Sequence, residues 1–224
     1  METVQDLDLE DLRRVVLLHR LEYRDSSAAQ ISRVIERIPA MRALLLEQVS
    51  SSYYSLGSDV SVHRAVVAIG IDRVTTLAQN EARQTFAARR TVLERPHLTA
   101  ASYAAAAAAA FGAPPLDAFP IALCRALLSG VEEANRELLG DQLCQRIGLM
   151  RLDRILGDWT KRGSLSPGLE RSVALGLYKA DLGPSTPGVQ DFDAAAQSSA
   201  RRIEAIVSQC FEPIADDESA PARI

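Results

Sequence analysis

Apolar residues recur every three or four positions through most of this chain, and strand-like alternation of β-branched residues is scarce, so the pattern predicts an all-α protein. One clear series is Ile31, Val34, Ile35 and Ile38, a single helix face. Ahead of it, Ser27-Ala28-Ala29-Gln30 has the form of a capping box, in which the serine hydroxyl accepts an amide three residues on and the glutamine reaches back. Pro39 lacks an amide proton and disfavours helical geometry at Ile38, so it should close that helix and open the next. The second helix sends Met41, Leu44, Leu45 and Val49 inward and ends among Ser50, Ser51 and Ser52, whose hydroxyls compete for backbone partners. Ser61 is expected to cap a third helix with Val62, Ala65, Val66 and Ile69 facing the core and Gly70 as a left-handed stop. Asp72 reads as the cap of a fourth, with Val74, Leu77 and Ala78 inward.

The same reading extends along the chain. Leu9 to Leu21 forms an opening helix with Leu12, Val15, Val16 and Leu18 inward. Arg73 to Leu93 reads as a long polar helix joining two halves. Leu98 to Phe111 is a small-residue helix, since alanine has the best helix propensity and lets a neighbouring backbone come close. Leu116 to Leu139 makes one helix or two, followed by Gln142 to Thr160 and Pro167 to Tyr178. Gly183 to Gly188 is a loop. A closing helix buries Phe192, Ala195, Ala196, Ile203, Ile206, Val207 and Cys210, and Pro213 to Ile224 is a solvated tail.

Composition fits a folded helical protein and removes several function classes. With 224 residues, 47% hydrophobic and 24% charged, the chain can bury a substantial core. No apolar stretch reaches the length of a membrane span, and Asp6, Asp8, Glu10 and Asp11 favour a helix start over a charged-then-apolar leader. Cys124, Cys144 and Cys210 each lie inside a helical pattern, which suits buried reduced thiols and a cytoplasmic location. The net charge of −4 is opposite in sign to the usual footprint of a nucleic-acid binder.

Three segments resemble one family. Ile38-Pro39 stands at a corner that reads Asp-Pro in the HDOD domain, a non-catalytic helical relative of the HD metal-dependent phosphohydrolases. Ser50-Ser51-Ser52-Tyr53-Tyr54 stands where that family has Asn-Ser-Ala followed by aromatics. Val60-Ser61-Val62-His63-Arg64-Ala65-Val66-Val67-Ala68-Ile69-Gly70 is similar to its Ile-x-Ser-Ile-x-x-Ala-Ile-x-x-Leu-Gly helix. Further on, Pro96-His97-Leu98-Thr99 and the alanine tract resemble the helix that begins Trp-x-His-Ser, and Ile155-Leu156-Gly157-Asp158-Trp159 a Leu-x-x-Trp segment. The resemblance spans Leu9 to Tyr178 and implies a multi-helix HDOD/HD-like fold: an N-terminal helical half at 1–90, a degenerate HD-like half at 91–182, a closing helix at 183–212 and a disordered tail at 213–224. It also implies a signalling or regulatory role in a bacterial cytoplasm.

Candidate chemistry is sparse. The histidines are His19, His63 and His97, none paired at helical spacing. By resemblance His97 lies where the HD superfamily has its first metal ligand, but a helix-start histidine is the simpler reading. Aligned on Phe119, Arg125 and Ala126 replace the histidine–aspartate doublet, and a permanently charged guanidinium would repel a cation. Gly163-Ser164-Leu165-Ser166-Pro167-Gly168 has the wrong spacing for a nucleophile elbow, and Ser166 reads as a helix cap. Cys124 beside Arg125 could have a lowered thiol pKa, although a buried structural cysteine is preferred. Ser61 to Arg90 could form a helix-turn-helix carrying Arg73, Arg83, Arg89 and Arg90, with Glu81 interrupting the positive face.

The sequence therefore leads to a non-catalytic regulatory protein with no catalytic, cofactor-binding or metal-binding residue assigned and no membrane association. Its partner is expected to be another protein, docked at Ser51, Ser52, Tyr53 and Tyr54, because tyrosine offers amphipathic surface with a polar tip. A degenerate HD-type phosphohydrolase and a helix-turn-helix nucleic-acid binder are the alternatives.

Overall fold

A computed structural model of the chain describes residues 9–22, 26–50, 60–88, 93, 95–129 and 165–182, together with 201 and 205. All regular structure among them is helical. The expectations for Ser51, Ser52, Tyr53, Tyr54, Arg89, Arg90, Cys144, Trp159 and Cys210, and for most of the closing helix and all of the tail, fall outside the described residues.

Five helices form the N-terminal set: α1 (Leu9–Glu22), α2 (Ala28–Ile35), α3 (Pro39–Ser50), α4 (Val62–Ile69) and α5 (Ile71–Ala88). The capping box at α2 is complete: the Gln30 amide donates to Ser27 Oγ at 3.3 Å, and the Ser27 amide to Gln30 Oε1 at 2.8 Å. Ile31, Val34, Ile35 and Ile38 are fully buried. Helix α2 ends at Ile35, earlier than Pro39 alone suggests, and a tighter turn carries the chain through Arg37 and Ile38, whose amides bond to Val34 and Ile35. Met41, Leu45 and Val49 then face inward from α3.

The α4–α5 corner departs from expectation in two details. Ser61 caps α4 as predicted. Gly70 has the positive φ of 84° that favours glycine, but its ψ of 153° is extended rather than left-handed helical, so the chain turns sharply and α5 starts at once. Asp72 is consequently inside the first turn of α5, not at its cap, and its negative charge suits the positive helix N-terminus there.

Three further helices pack together: α6 (Arg95–Ala108), extended by a 3₁₀ turn (Ala109–Phe111), α7 (Pro115–Leu127) and α8 (Pro167–Lys179). Gly112, with φ 67° and ψ 28°, is the left-handed residue that turns the chain from α6 into α7. Every residue from Asp117 to Cys124 is buried, so α7 is enclosed on all sides. Ser166 caps α8 as predicted, donating no nucleophile geometry but accepting the Leu169 amide.

The alanine tract has the role its composition implies. Ala100, Ala101, Ala104, Ala105, Ala107 and Ala108 are buried, and α8 lies against them. A methyl group on Gly176 would stand 2.1 Å from the Ala100 carbonyl oxygen, and one on Gly168 would stand 2.0 Å from that of Phe111. Both sites therefore require glycine for backbone to meet backbone. The two helix sets share one apolar core that runs from Leu12 in α1 to Val173 in α8, with α1 packed directly on α7.

Candidate functional site

The Arg125-Ala126 position, which the resemblance sets against the HD doublet, lies in the last turn of α7. Burial of Ala126 is complete there, while Arg125 turns toward α8 and grips Glu170 with both nitrogens, Nη1 at 2.8 Å and Nη2 at 3.2 Å. This fork-to-fork pair uses both Glu170 oxygens. His97 sits in the first turn of α6, half-buried, as a helix-start histidine would. Among the described residues no three of histidine, cysteine, aspartate and glutamate are placed to hold a metal ion together.

Cys124 precedes Arg125 but faces the core, and burial pushes its thiol up to about 12. Burial therefore works against the alternative of an activated thiolate, because it desolvates the anion.

The densest charge cluster among the described residues was not foreseen. Arg14, in α1, is 4% exposed and holds Glu81 of α5 through Nε (3.0 Å to each carboxylate oxygen) and Nη2 (2.8 Å). Its Nη1 reaches Asp11 and its Nη2 also reaches Glu10, both at 3.2 Å. Burial would lower the Arg14 pKa, but hydrogen bonding and attraction from Glu81, with Asp11 and Glu10 behind it, raise it overall. Glu81 thus does not interrupt a positive surface, because it is committed to α1. Its other neighbour is Thr85, which donates from Oγ1 at 3.3 Å. The local signal was present, as Glu10, Asp11 and Arg14 have the spacing of helical ion pairs. The partner on α5 was not readable, being 67 positions away.

His19 was also missed as a core group. Its ring lies flat on Phe119 of α7, centroids 4.0 Å apart and planes 10° apart, at the contact between α1 and α7. Desolvation, helped by the charge on Arg20, lowers its pKa to about 3, so it is neutral at ordinary pH. His63, by contrast, is exposed on α4.

The α4–α5 pair was the nucleic-acid alternative. On α5, Arg73 is exposed and leans toward Gln48 of α3 at 3.5 Å, and Arg83 is half-buried. The outward face of α5 otherwise carries Asp72, Thr76, Asn80 and Gln84, a neutral stripe with one acid, which gives a phosphate backbone little to grip. No described helix is long and apolar enough to cross a membrane.

The family comparison covers much of this arrangement. The model of the HDOD domain matches residues 13–113, from the second turn of α1 to the corner before α7. It takes in Ser61, Gly70, His97 and the alanine tract, whereas Arg125 and Glu170 lie beyond it. No curated protein and no solved structure matches the chain. Residues 13–113, a little under half of the chain, thus match the HDOD domain.

Proposed function

We propose that this chain is a non-catalytic regulatory protein of a bacterial signalling system, in which the HDOD domain recognises another protein through its helical surface. The observation that carries the reading is the Arg125–Glu170 pair. At the position where HD relatives offer a histidine and an aspartate to metal, this chain offers a cation already held by a carboxylate, beside a buried methyl group. A divalent ion placed there would meet a charge that cannot be removed by deprotonation. Ser51, Ser52, Tyr53 and Tyr54 are the proposed contact with the partner, on the strength of their chemistry.

The test is direct. The purified full chain, loaded with manganese and then desalted, is expected to keep no stoichiometric metal and to leave a phosphodiester such as bis-(p-nitrophenyl) phosphate intact. Retained metal together with hydrolysis that disappears in His97→Ala would overturn the proposal.

A further inference from the structure

We propose that the corner between α4 and α5 is a self-complementary pairing surface, on which a second copy of this chain docks. Among the described residues, the large apolar side chains left exposed are Val67, at 62%, and Ile71, at 40%. They stand four positions apart on either side of Gly70, in the last turn of α4 and at the start of α5. The core does not need them, since the inward positions of these helices are filled by Val62, Ala65, Val66, Val74 and Ala78. Leaving both in water costs solvation free energy that a docked surface would recover. The middle of the corner is open, with nothing within 4 Å of where a Gly70 side chain would stand.

Charge selects the occupant. Arg64 lies one turn before Val67 on the exposed face of α4, with His63 beside it, and Asp72 directly follows Ile71. Both Arg64 and Asp72 are exposed, and neither side chain has a partner among the described residues. Along the chain the patch therefore reads cation, apolar, apolar, anion, and the cation that follows, Arg73, leans away toward Gln48 of α3. A two-fold axis near Gly70 reverses that order in the second copy. It sets Val67 against the other Ile71 and Arg64 against the other Asp72, and each contact occurs twice. A uniformly acidic or uniformly basic partner would instead face a like charge at one end. The corner is smaller than the roughly 800 Å² per partner of a standard stable interface, so the dimer should dissociate on dilution. This inference is independent of the non-catalytic reading and survives or fails on its own.

Sedimentation equilibrium of the full chain at low salt, over a wide concentration series, tests it. The average mass is expected to climb from 24.3 kDa toward twice that value. Arg64→Asp and Asp72→Arg should each raise the dissociation constant about tenfold, because each replaces two attractions by two repulsions. The double variant, with the charges exchanged, should restore wild-type association. Val67→Ser and Ile71→Ser should weaken it with helicity unchanged, and the charge variants decide the matter should either apolar variant unfold. A chain that stays monomeric throughout overturns the proposal, and so does a dimer indifferent to the single reversals or not restored by the exchange.

Discussion

Among the described residues, the five N-terminal helices and the three later ones solve the same packing problem with opposite materials. In the first set, bulky apolar side chains such as Ile31, Ile35, Ile38, Met41 and Leu45 fill the space between short helices, and a buried ion network ties α1 to α5. In the second set, α6 and α8 approach until methyl groups and bare backbone touch, at Ala100, Ala104 and Gly176. Interdigitated side chains can shift rotamers when one of them changes. A backbone contact has nothing to move, so its tolerance for added volume is far smaller.

That difference predicts unequal responses to small changes. The largest effect is expected at Gly176→Ala, where a single methyl group must displace the Ala100 carbonyl. About 3 kcal/mol of stability should be lost in chemical denaturation, at the upper end for one added methylene. A loss near zero would mean that α6 and α8 can separate freely, and the contrast between the two sets would disappear. Next comes Glu81→Gln, which keeps the shape and one acceptor oxygen but leaves Arg14 only Asp11 and Glu10 as anions. Breaking a buried pair can cost about 3–5 kcal/mol, but the two remaining carboxylates should hold the loss to about 2 kcal/mol. Equilibrium unfolding in urea measures it.

The effect that is smallest near neutral pH lies at the seam between the sets and grows as pH falls. His19 titrates near 6.5 when unfolded and at about 3 in the fold, so the unfolded chain binds the extra proton in that window. Its contribution is fully present above pH 6.5 and is lost as pH falls toward 3, at about 1.4 kcal/mol per pH unit. His19→Phe, which preserves an aromatic face against Phe119, should flatten the slope between pH 6.5 and 4.5 relative to wild type. Equal slopes in the two proteins would show that the imidazole is not the group being protonated.

What the sequence disclosed divides along similar lines. The caps at Ser27, Ser61 and Ser166 and the inward faces of α1 to α4 were legible, because each depends on residues within one helical turn. The conformation of Gly70 was not, since a positive φ is shared by two backbone states and periodicity cannot separate them. Nor was the Arg14–Glu81 pair, which joins helices far apart in the chain, or the burial of His19, which depends on Phe119 arriving from α7. At the candidate site, the resemblance drew attention to Arg125, but its partner Glu170 comes from another helix and no local pattern pointed to it.

A face of repeated methyl groups looks the same to its neighbour after sliding one turn, about 5.4 Å along the axis. The run from Ala104 to Ala110 would by itself leave α8 free to settle in more than one register. Gly176 seated over Ala100 and Gly168 seated over Phe111 break that degeneracy, because only one alignment brings both gaps opposite both carbonyls. Two absent side chains thus do for this pair of helices what a specific polar contact does elsewhere: they choose a single alignment among several of nearly equal energy.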